Sequence, residues 1–320
     1  MLIVRSPLRI SLFGGGTDID PFLSEYGSEV LSFTIRKYVY LTIHPLIESQ
    51  KIMLKYSRNE IVDYPSDIQH PVFREALSLY GLRSIDISVS SDIAAGTGLG
   101  SSSSFTVGLL HLIRAYRNLS IEKVSLAQEA CKIEIDLLGE PIGVQDQYAC
   151  SVGGLNKYVF TGRHSVEISP IFVTQRIHNI LTRNSVLVRV PGTRSASQLL
   201  TVQRNTLNIE YLKKLRDYVS EGLEAIQDSP NRLGEVMHES WNIKKLLSPH
   251  ISNSSLDNLY EGLTKIGFFG GKLLGAGSSG YLFMVGPEDL VLKFKSSNPT
   301  STLDIKLDSE GSKVIYNSEP

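Results

Sequence analysis

The chain has 320 residues, of which 42% are hydrophobic and 20% are charged, and its formal net charge is −1. This composition is typical of soluble globular proteins, and the length predicts two domains. The small net charge argues against a nucleic-acid-binding protein, which would carry a basic surface. Two cysteines, Cys131 and Cys150, are too few for a disulfide framework. Because no apolar run reaches the roughly 18 residues of a membrane span and the N-terminus does not resemble a signal peptide, we expect a cytoplasmic protein with no membrane partner.

The first half of the chain combines predicted strands with two predicted helices. An apolar stripe over Phe105–Tyr116 predicts a helix, and a second helix is expected from a Ser120 cap to about Leu138, ended by Gly139. β-branched and aromatic residues predict the strands, which are Leu2–Val4, Leu8–Phe13, Val30–Thr34, Tyr38–His44, Ile85–Val89, Leu155–Phe160 and Val186–Val190.

The second half is predicted to be helical first and to form strands later. Residues 195–247 have a helical pattern that Pro230 interrupts. The predicted strands that follow are Lys272–Leu274, Tyr281–Val285, Leu303–Leu307 and Val314–Tyr316. Strands and helices mixed without regular alternation predict an α+β fold, which we divide into domains 1–190 and 191–320.

The segment Gly96–Ser104 lies between a predicted strand and the predicted helix Phe105–Tyr116. Its glycines let the backbone approach a ligand closely, and the start of the helix offers unpaired N–H groups that favour a phosphate. The alternative is a plain strand–helix connection with a serine cap, which does not need nine residues composed only of Gly, Ser, Thr and one Leu. A Walker A loop is excluded because no Gly-Lys-Ser/Thr follows at the required spacing.

Two further glycine-rich segments each leave two interpretations open. Gly275–Gly280 matches the dinucleotide pattern G-x-G-x-x-G, but the strand Tyr281–Val285 follows where the pattern requires a helix, so we reject a dinucleotide site. A turn in a β-hairpin is the simplest interpretation of that segment. Gly14–Asp18 follows the predicted strand that carries Arg9, and it forms either a simple turn or room for a bulky ligand whose hydroxyls bind Asp18.

Two carboxylates complete the set of candidates. Glu134 lies on an otherwise apolar helical stripe with Cys131 and Leu138. A buried carboxylate must be paired, so Glu134 either forms a salt bridge with an unidentified Lys or Arg or binds a metal ion. Asp146 follows a proline-containing loop, where a carboxylate is usually exposed to solvent.

Taken in order, Pro7–Asp18, Asp92–Ser104 and Lys272–Gly280 resemble the three motifs of the GHMP family of small-molecule kinases, such as galactokinase and mevalonate kinase. Within this family, three segments most resemble the D-glycero-D-manno-heptose 7-phosphate kinases: Gly14–Asp18, Gly98–Ser104 and Asp146–Tyr148. Galactokinases carry Glu-His at the position of Gly15-Gly16, and this departure argues against galactose as the substrate. Ser278-Ser279 also replaces glycines that are more usual in heptose kinases.

The resemblance implies an N-terminal α+β domain, a C-terminal ferredoxin-like domain, and a cleft that binds ATP, Mg²⁺ and a small sugar phosphate. It implies that Ser102 and Glu134 hold Mg²⁺ and that Asp146 is the catalytic carboxylate, with Arg9 beside it keeping it ionised. The residues expected to cradle the ATP phosphates are Gly96, Gly98, Leu99, Gly100, Ser101, Ser102 and Ser103. Those expected to bind the sugar are Gly15, Gly16, Thr17 and Asp18.

The resemblance says least about the phosphate of the substrate. The backbone of Gly14–Gly16 and the segment Gly192–Ser195, at the start of a predicted helix, are the two candidates. We favour Arg194 in the second, because a guanidinium binds phosphate bidentately. The alternative is that Arg194 is solvated and that its neighbours only cap the helix.

The expected activity is ATP-dependent phosphorylation of the anomeric C1 hydroxyl of D-glycero-D-manno-heptose 7-phosphate. One alternative is another sugar kinase of the family, of the fucokinase or uronic-acid kinase type. Another is a non-catalytic sugar sensor, although a sensor has no need of Ser102, Glu134 and Asp146 together. The partners expected are this small molecule and, in a homodimer, a second copy of the chain.

Overall fold

A computed structural model describes residues 1–192 and 208–318 of the chain. Two long antiparallel strands, β1 (Leu2–Phe13) and β2 (Ser28–Pro45), form its centre. The sequence predicted a break within each of them, and this prediction is wrong. The register shifts between Pro7 and Leu8, so that Arg36 and Lys37 of β2 lie in a bulge while the strand continues.

Further strands extend both edges of β1 and β2 into the first sheet, with the order β13-β1-β2-β5-β3-β4. Strands β6 and β12 pair with the first half of β2, and β7 pairs with β6. The bounds are β3 (Ile52–Lys55), β4 (Asn59–Val62), β5 (Ile85–Ser91), β6 (Leu155–Gly162), β7 (Ser165–Pro170), β12 (Leu307–Asp308) and β13 (Lys313–Asn317).

Helices pack against the first sheet and bury its apolar face. The central one is α3 (Ser101–Tyr116), which contacts β1, β2 and a later helix, α5. Buried residues such as Leu8, Phe33 and Leu110 fill the space between helix and sheet. The other helices of the first 192 residues are α1 (Phe22–Tyr26), α2 (Pro71–Tyr80), α4 (Lys123–Cys131), α5 (Gln145–Val152) and α6 (Gln175–Thr182).

The second sheet has the order β11-β8-β10-β9 and packs against helices of the last third of the chain. Trp241 and Leu282 are buried between these helices and the sheet. The strands are β8 (Ser185–Val190), β9 (Gly270–Leu273), β10 (Gly280–Val285) and β11 (Thr302–Leu303). The helices of this part of the chain are α7 (Ile209–Asp228), α8 (Pro230–Lys245), α9 (Ser254–Lys265) and α10 (Glu288–Ser297). Of these, α8 contacts β9 and β10 and α10 contacts β8, whereas α7 contacts β1 and β2 of the first sheet.

Two other predicted boundaries need correction. The cap of α4 is Glu122 and not Ser120, because the Glu122 carboxylate accepts hydrogen bonds from the N–H groups of Val124 and Ser125. The strand predicted at Leu303–Leu307 is divided between β11 and β12, which belong to different sheets.

The division into domains at residue 190 stays a prediction. None of the helices within residues 1–192 and 208–318 combines the length and hydropathy needed to cross a membrane.

Candidate active site

A cavity of about 340 Å³ lies where several chain segments meet. The end of β1 and the glycines after it form one side, and the N-terminal ends of α3 and α5 form the floor. Residues of α8, of β9 and of the turn after β9 close the other side. The segments that carry the predicted motifs are therefore brought together around one space.

Arg9 and Asp146 form a bidentate ion pair in this cavity. The Nε and Nη2 atoms of Arg9 donate to the two carboxylate oxygens of Asp146 at 2.7 and 2.6 Å. The Arg9 side chain is only 5% exposed, whereas Asp146 keeps 22% of its side chain accessible. The third guanidinium nitrogen of Arg9, Nη1, donates to the carbonyl of Gly98 at 2.6 Å. The pair holds the Asp146 carboxylate in a fixed orientation at the cavity surface.

The loop before α3 passes closely beneath the turn that follows β9. Gly98 has φ +79°, and a Cβ there would lie 2.3 Å from the carbonyl oxygen of Leu274. Only glycine fits that approach. Helix α3 then begins at Ser101, and the first N–H groups of a helix have no acceptor within it. The floor of the cavity therefore presents N–H groups and serine hydroxyls at the positive end of a 16-residue helix.

Glu134 is 1% exposed and lies in a single π-helical segment, Lys132–Leu137, that continues α4. Within the described part of the chain its partners are four neutral donors: Ser102 Oγ at 3.2 Å, Ser103 Oγ at 2.9 Å, Thr106 Oγ1 at 3.0 Å and Gln147 Nε2 at 2.7 Å. Burial raises the pKa of this carboxyl group above its ordinary value. The sequence left two interpretations of Glu134, a salt bridge or a metal ligand. No Lys or Arg among the described residues forms a salt bridge with it.

Ser102 and Glu134 present two oxygen atoms, the ligand type that Mg²⁺ prefers. Two adjacent oxygen ligands at about 2.1 Å from one octahedral ion lie about 3.0 Å apart. Ser102 Oγ and Glu134 Oε1 are separated by 3.2 Å, and both residues line the cavity. Among residues 1–192 and 208–318 no cluster of three or more His, Cys, Asp or Glu side chains offers an alternative metal site.

Asp18 fixes the glycine turn after β1 against the start of α5. Its carboxylate accepts hydrogen bonds from the N–H groups of Gly16 and Gln145, both at 3.1 Å. Burial raises the pKa of Asp18, and the nearby charge of Asp146 raises it further. Gly15 and Gly16 line the cavity beside it, and nothing within 4 Å would meet a Cβ at Gly16.

Two buried lysines in the cavity wall were missed by the sequence analysis. Lys244 of α8 and Lys272 of β9 are 8% and 3% exposed, and both line the cavity. A signal for the first was present, because Lys244 continues the buried face of α8 that carries Met237 and Trp241. The second lies in a strand of which every residue is buried.

The other predicted residues have different placements. Thr17 is buried below the cavity, where its hydroxyl contacts the Gly14 carbonyl and Ser28 Oγ. Leu99 is buried too, and its carbonyl accepts the N–H of Arg9. Gly96, Gly100, Ser101 and Ser103 line the cavity. Arg194, predicted to bind the substrate phosphate, lies outside the described residues.

Comparison with known proteins identifies relatives for most of the chain. Residues 68–154 match the model of the GHMP kinases N terminal domain. Over 296 residues the chain is 28% identical to the D-glycero-alpha-D-manno-heptose 7-phosphate kinase of Campylobacter jejuni, a match that covers 87% of either protein.

Solved structures share the whole architecture. A D-glycero-D-manno-heptose 1-phosphate kinase from Bacteroides thetaiotaomicron has a TM-score of 0.81 at 24% identity, over 99% of this chain and 100% of that one. Streptococcus pneumoniae phosphomevalonate kinase, solved with phosphomevalonate and AMPPNP, has a TM-score of 0.78 at 16% identity, over 98% and 100%. The predicted mixed fold with sheets and helices is therefore confirmed.

Proposed function

We propose that this chain, which belongs to the GHMP kinase family, transfers the γ-phosphoryl group of ATP to the anomeric C1 hydroxyl of D-glycero-D-manno-heptose 7-phosphate. The enzyme class follows from the family, because its members transfer a phosphoryl group from ATP to an alcohol. The heptose acceptor and the C1 position are the specific parts of the proposal, and the Campylobacter relative supports the acceptor.

The observation that carries the proposal is the Arg9–Asp146 pair in the cavity wall. A carboxylate that is ionised and held still can orient an acceptor hydroxyl and take its proton. The two N–H donors of Arg9 hold both carboxylate oxygens of Asp146 in place at the cavity surface. Phosphoryl transfer depends mainly on positioning and on neutralising charge, and this pair contributes to both.

The floor of the cavity would hold the triphosphate. The unpaired N–H groups at the start of α3 and the hydroxyls of Ser101 to Ser103 favour an anion there. Ser102 Oγ and Glu134 Oε1 would supply two of the oxygen ligands of a bound Mg²⁺. The ion, when bound, neutralises charge that develops on the phosphate oxygens.

The opposite end of the cavity suits a polyhydroxylated acceptor. Ser11 Oγ and Gln145 Oε1 are buried and have no hydrogen-bond partner among the described residues, and both residues line the cavity. Buried polar groups of this kind are usually satisfied by a ligand or by water. The open space at Gly16 and the carboxylate of Asp18 add room and an acceptor for hydroxyl groups. We retain Arg194 as the proposed contact for the 7-phosphate.

A panel of acceptors tests the substrate. The full-length enzyme is assayed for ADP release with MgATP and D-glycero-D-manno-heptose 7-phosphate, the unphosphorylated heptose, fucose, a uronic acid and mannose 6-phosphate. We expect kcat/KM for the heptose 7-phosphate to exceed that for each unphosphorylated sugar by at least about tenfold, which corresponds to one charge-assisted contact with the phosphate. It should also exceed that for mannose 6-phosphate, whose shorter carbon chain places the phosphate differently. A preference for fucose or a uronic acid would contradict the acceptor assignment while leaving the kinase class intact.

A further inference from the structure

Lys244 and Lys272 are two buried lysines whose ammonium groups form no salt bridge with a carboxylate in the described part of the chain. Lys244 Nζ donates one hydrogen bond, to the carbonyl of Gly275 at 3.1 Å. Lys272 Nζ likewise donates to the carbonyl of Leu12 at 3.1 Å. An ammonium group has three N–H donors, so each lysine keeps donors that these carbonyls do not use. Both side chains line the cavity, where such donors can reach a ligand.

The charged form of each lysine is disfavoured in the ligand-free protein. Burial, with the charge of Arg9 adding to it, lowers the pKa of Lys244 to about 8. Burial also lowers the pKa of Lys272, and the charge of Lys244 lowers it further. Unpaired cations in a protein interior are uncommon unless a partner of opposite charge binds there. An anion bound in the cavity would supply a partner of this kind.

The surroundings of Lys244 indicate which anion it is. Its electrostatic neighbours are Arg9, Asp18 and Asp146, so it lies near the carboxylate that faces the acceptor hydroxyl. Its hydrogen-bond acceptor, Gly275, packs against Gly98 of the loop before α3. Lys244 thus lies where the end of a triphosphate and the acceptor hydroxyl would meet. A phosphate at the far end of a seven-carbon acceptor would lie well away from Asp146.

We propose that Lys244 and Lys272 form a buried cationic subsite for the phosphoryl group in transfer, which is the γ-phosphate of ATP. This inference rests on the proposed kinase function but not on the identity of the sugar. In the step, the bond from the γ-phosphorus to the oxygen that bridges it to the β-phosphorus breaks, and its electron pair leaves with ADP. The acceptor oxygen forms a new bond to the γ-phosphorus, and its proton passes to the Asp146 carboxylate. The two ammonium groups would contact the oxygens of the phosphoryl group throughout.

Two nucleotides that differ at the γ-position test the subsite without any sugar. Affinities of the full-length protein for Mg-ADP and for the β,γ-imido analogue of Mg-ATP are measured by calorimetry, in wild type and in Lys244→Met and Lys272→Met. We expect each variant to bind the imido analogue at least tenfold more weakly, with ADP affinity within threefold of wild type. The ratio of the two affinities is taken within one preparation, so a reduced folded fraction does not change it.

Lys245→Met is the matched control. Lys245 is the next residue of α8, but its side chain is 31% exposed and pairs with Asp257 at 3.6 Å. Both nucleotide affinities should stay within twofold of wild type in this variant. An equal loss for ADP and the imido analogue in Lys244→Met would overturn the proposal. So would unchanged affinity for both nucleotides together with a raised KM for the phosphorylated sugar alone, since that result places the lysines at the acceptor's phosphate. Because no sugar is present in the calorimetry, a wrong acceptor assignment cannot produce either nucleotide result.

Discussion

At the scale of single residues, Asp146 is the side chain on which the proposed chemistry depends most. We expect Asp146→Asn to lower kcat by about 10²–10⁴-fold, as for the loss of a general base, with little change in the KM for ATP. Steady-state kinetics with saturating acceptor measure this. Asp217→Asn, which changes a carboxylate that is 68% exposed on α7, is the control and should keep wild-type kcat. A kcat within threefold of wild type in Asp146→Asn would remove this residue from the chemical step.

Because Glu134 is proposed to bind Mg²⁺, we expect the magnesium requirement of the enzyme to depend on pH. Burial raises the pKa of Glu134, so its proton competes with the metal ion as pH falls towards that raised value. The Mg²⁺ concentration for half-maximal rate should therefore increase between pH 7.5 and 5.5 in the wild type. Glu134→Gln should need more Mg²⁺ than the wild type at pH 7.5 and lose most of this pH dependence. A titration of Glu134→Gln that overlays the wild type would make Glu134 a purely structural hydrogen-bond acceptor.

At the scale of elements, the close approach of the loop before α3 to the turn after β9 is the contact that joins two of the motifs. Gly139 has φ +67° and open space around it. We expect Gly139→Ala to lower the free energy of unfolding by about 1 kcal/mol, because alanine is strained in the left-handed region. Gly98→Ala has the same kind of backbone strain and also a clash with the Leu274 carbonyl. It should therefore lower the free energy of unfolding by about 1–3 kcal/mol more than Gly139→Ala does, as overpacking does. Denaturant unfolding measures both values. Gly98→Ala should also raise the KM for ATP, and equal stability of the two variants would contradict this account of the contact.

Elements with a strong local pattern could be predicted from the sequence. Helix α3 has a regular apolar stripe, and the hairpin from β9 to β10 follows from a glycine turn between two apolar runs. The continuity of β2 through Arg36 could not be predicted, because a bulge in that strand is accommodated by the pairing of β1 and β12 from distant parts of the chain. The π-helical segment around Glu134 likewise has no distinct local signature, since it differs from an α-helix by one hydrogen-bond shift.

The same contrast applies to the candidate site. Arg9, Asp146 and the glycine loops lie in motifs that resemble a known family, so the sequence alone could nominate them. Lys244 lies on a helix outside the three motifs, and Lys272 begins the third motif, whose pattern of glycines did not indicate a role for the lysine. Their meaning depends on burial and on the position of each ammonium group relative to Arg9, which only tertiary structure gives.

At the scale of the whole molecule, the buried lysines predict how stability changes with pH. The pKa of Lys244 is about 8 in the folded protein, and about 10.4 is the ordinary value expected in the unfolded chain. Between these values the unfolded chain binds one more proton, so the contribution of Lys244 to the free energy of unfolding rises with pH, by up to about 1.4 kcal/mol per pH unit. Below pH 8 Lys244 is charged in both the folded and the unfolded state, and the burial of this charge lowers the free energy of unfolding by its full amount.

Lys244→Met removes that penalty, so the ligand-free variant should be more stable than the wild type at pH 7. Its advantage should shrink as pH rises from 8 to 10. Taking the difference between the two proteins cancels the opposite contribution of the buried thiols of Cys131 and Cys150, whose pKa values are raised by burial. Denaturant unfolding at several pH values measures the difference. A constant difference over this range would show that Lys244 does not change its charge there.

The most direct measurement of the proposed activity is the ³¹P NMR spectrum of the product formed from MgATP and D-glycero-D-manno-heptose 7-phosphate. We predict a sugar bisphosphate that forms in equal amount with ADP. Its new phosphorus signal should couple to the anomeric proton, which places the phosphate on C1, and Asp146→Asn should form it at least about 100-fold more slowly. A new phosphate coupled to a proton on any other carbon, or ADP formed without a sugar bisphosphate, would contradict the account.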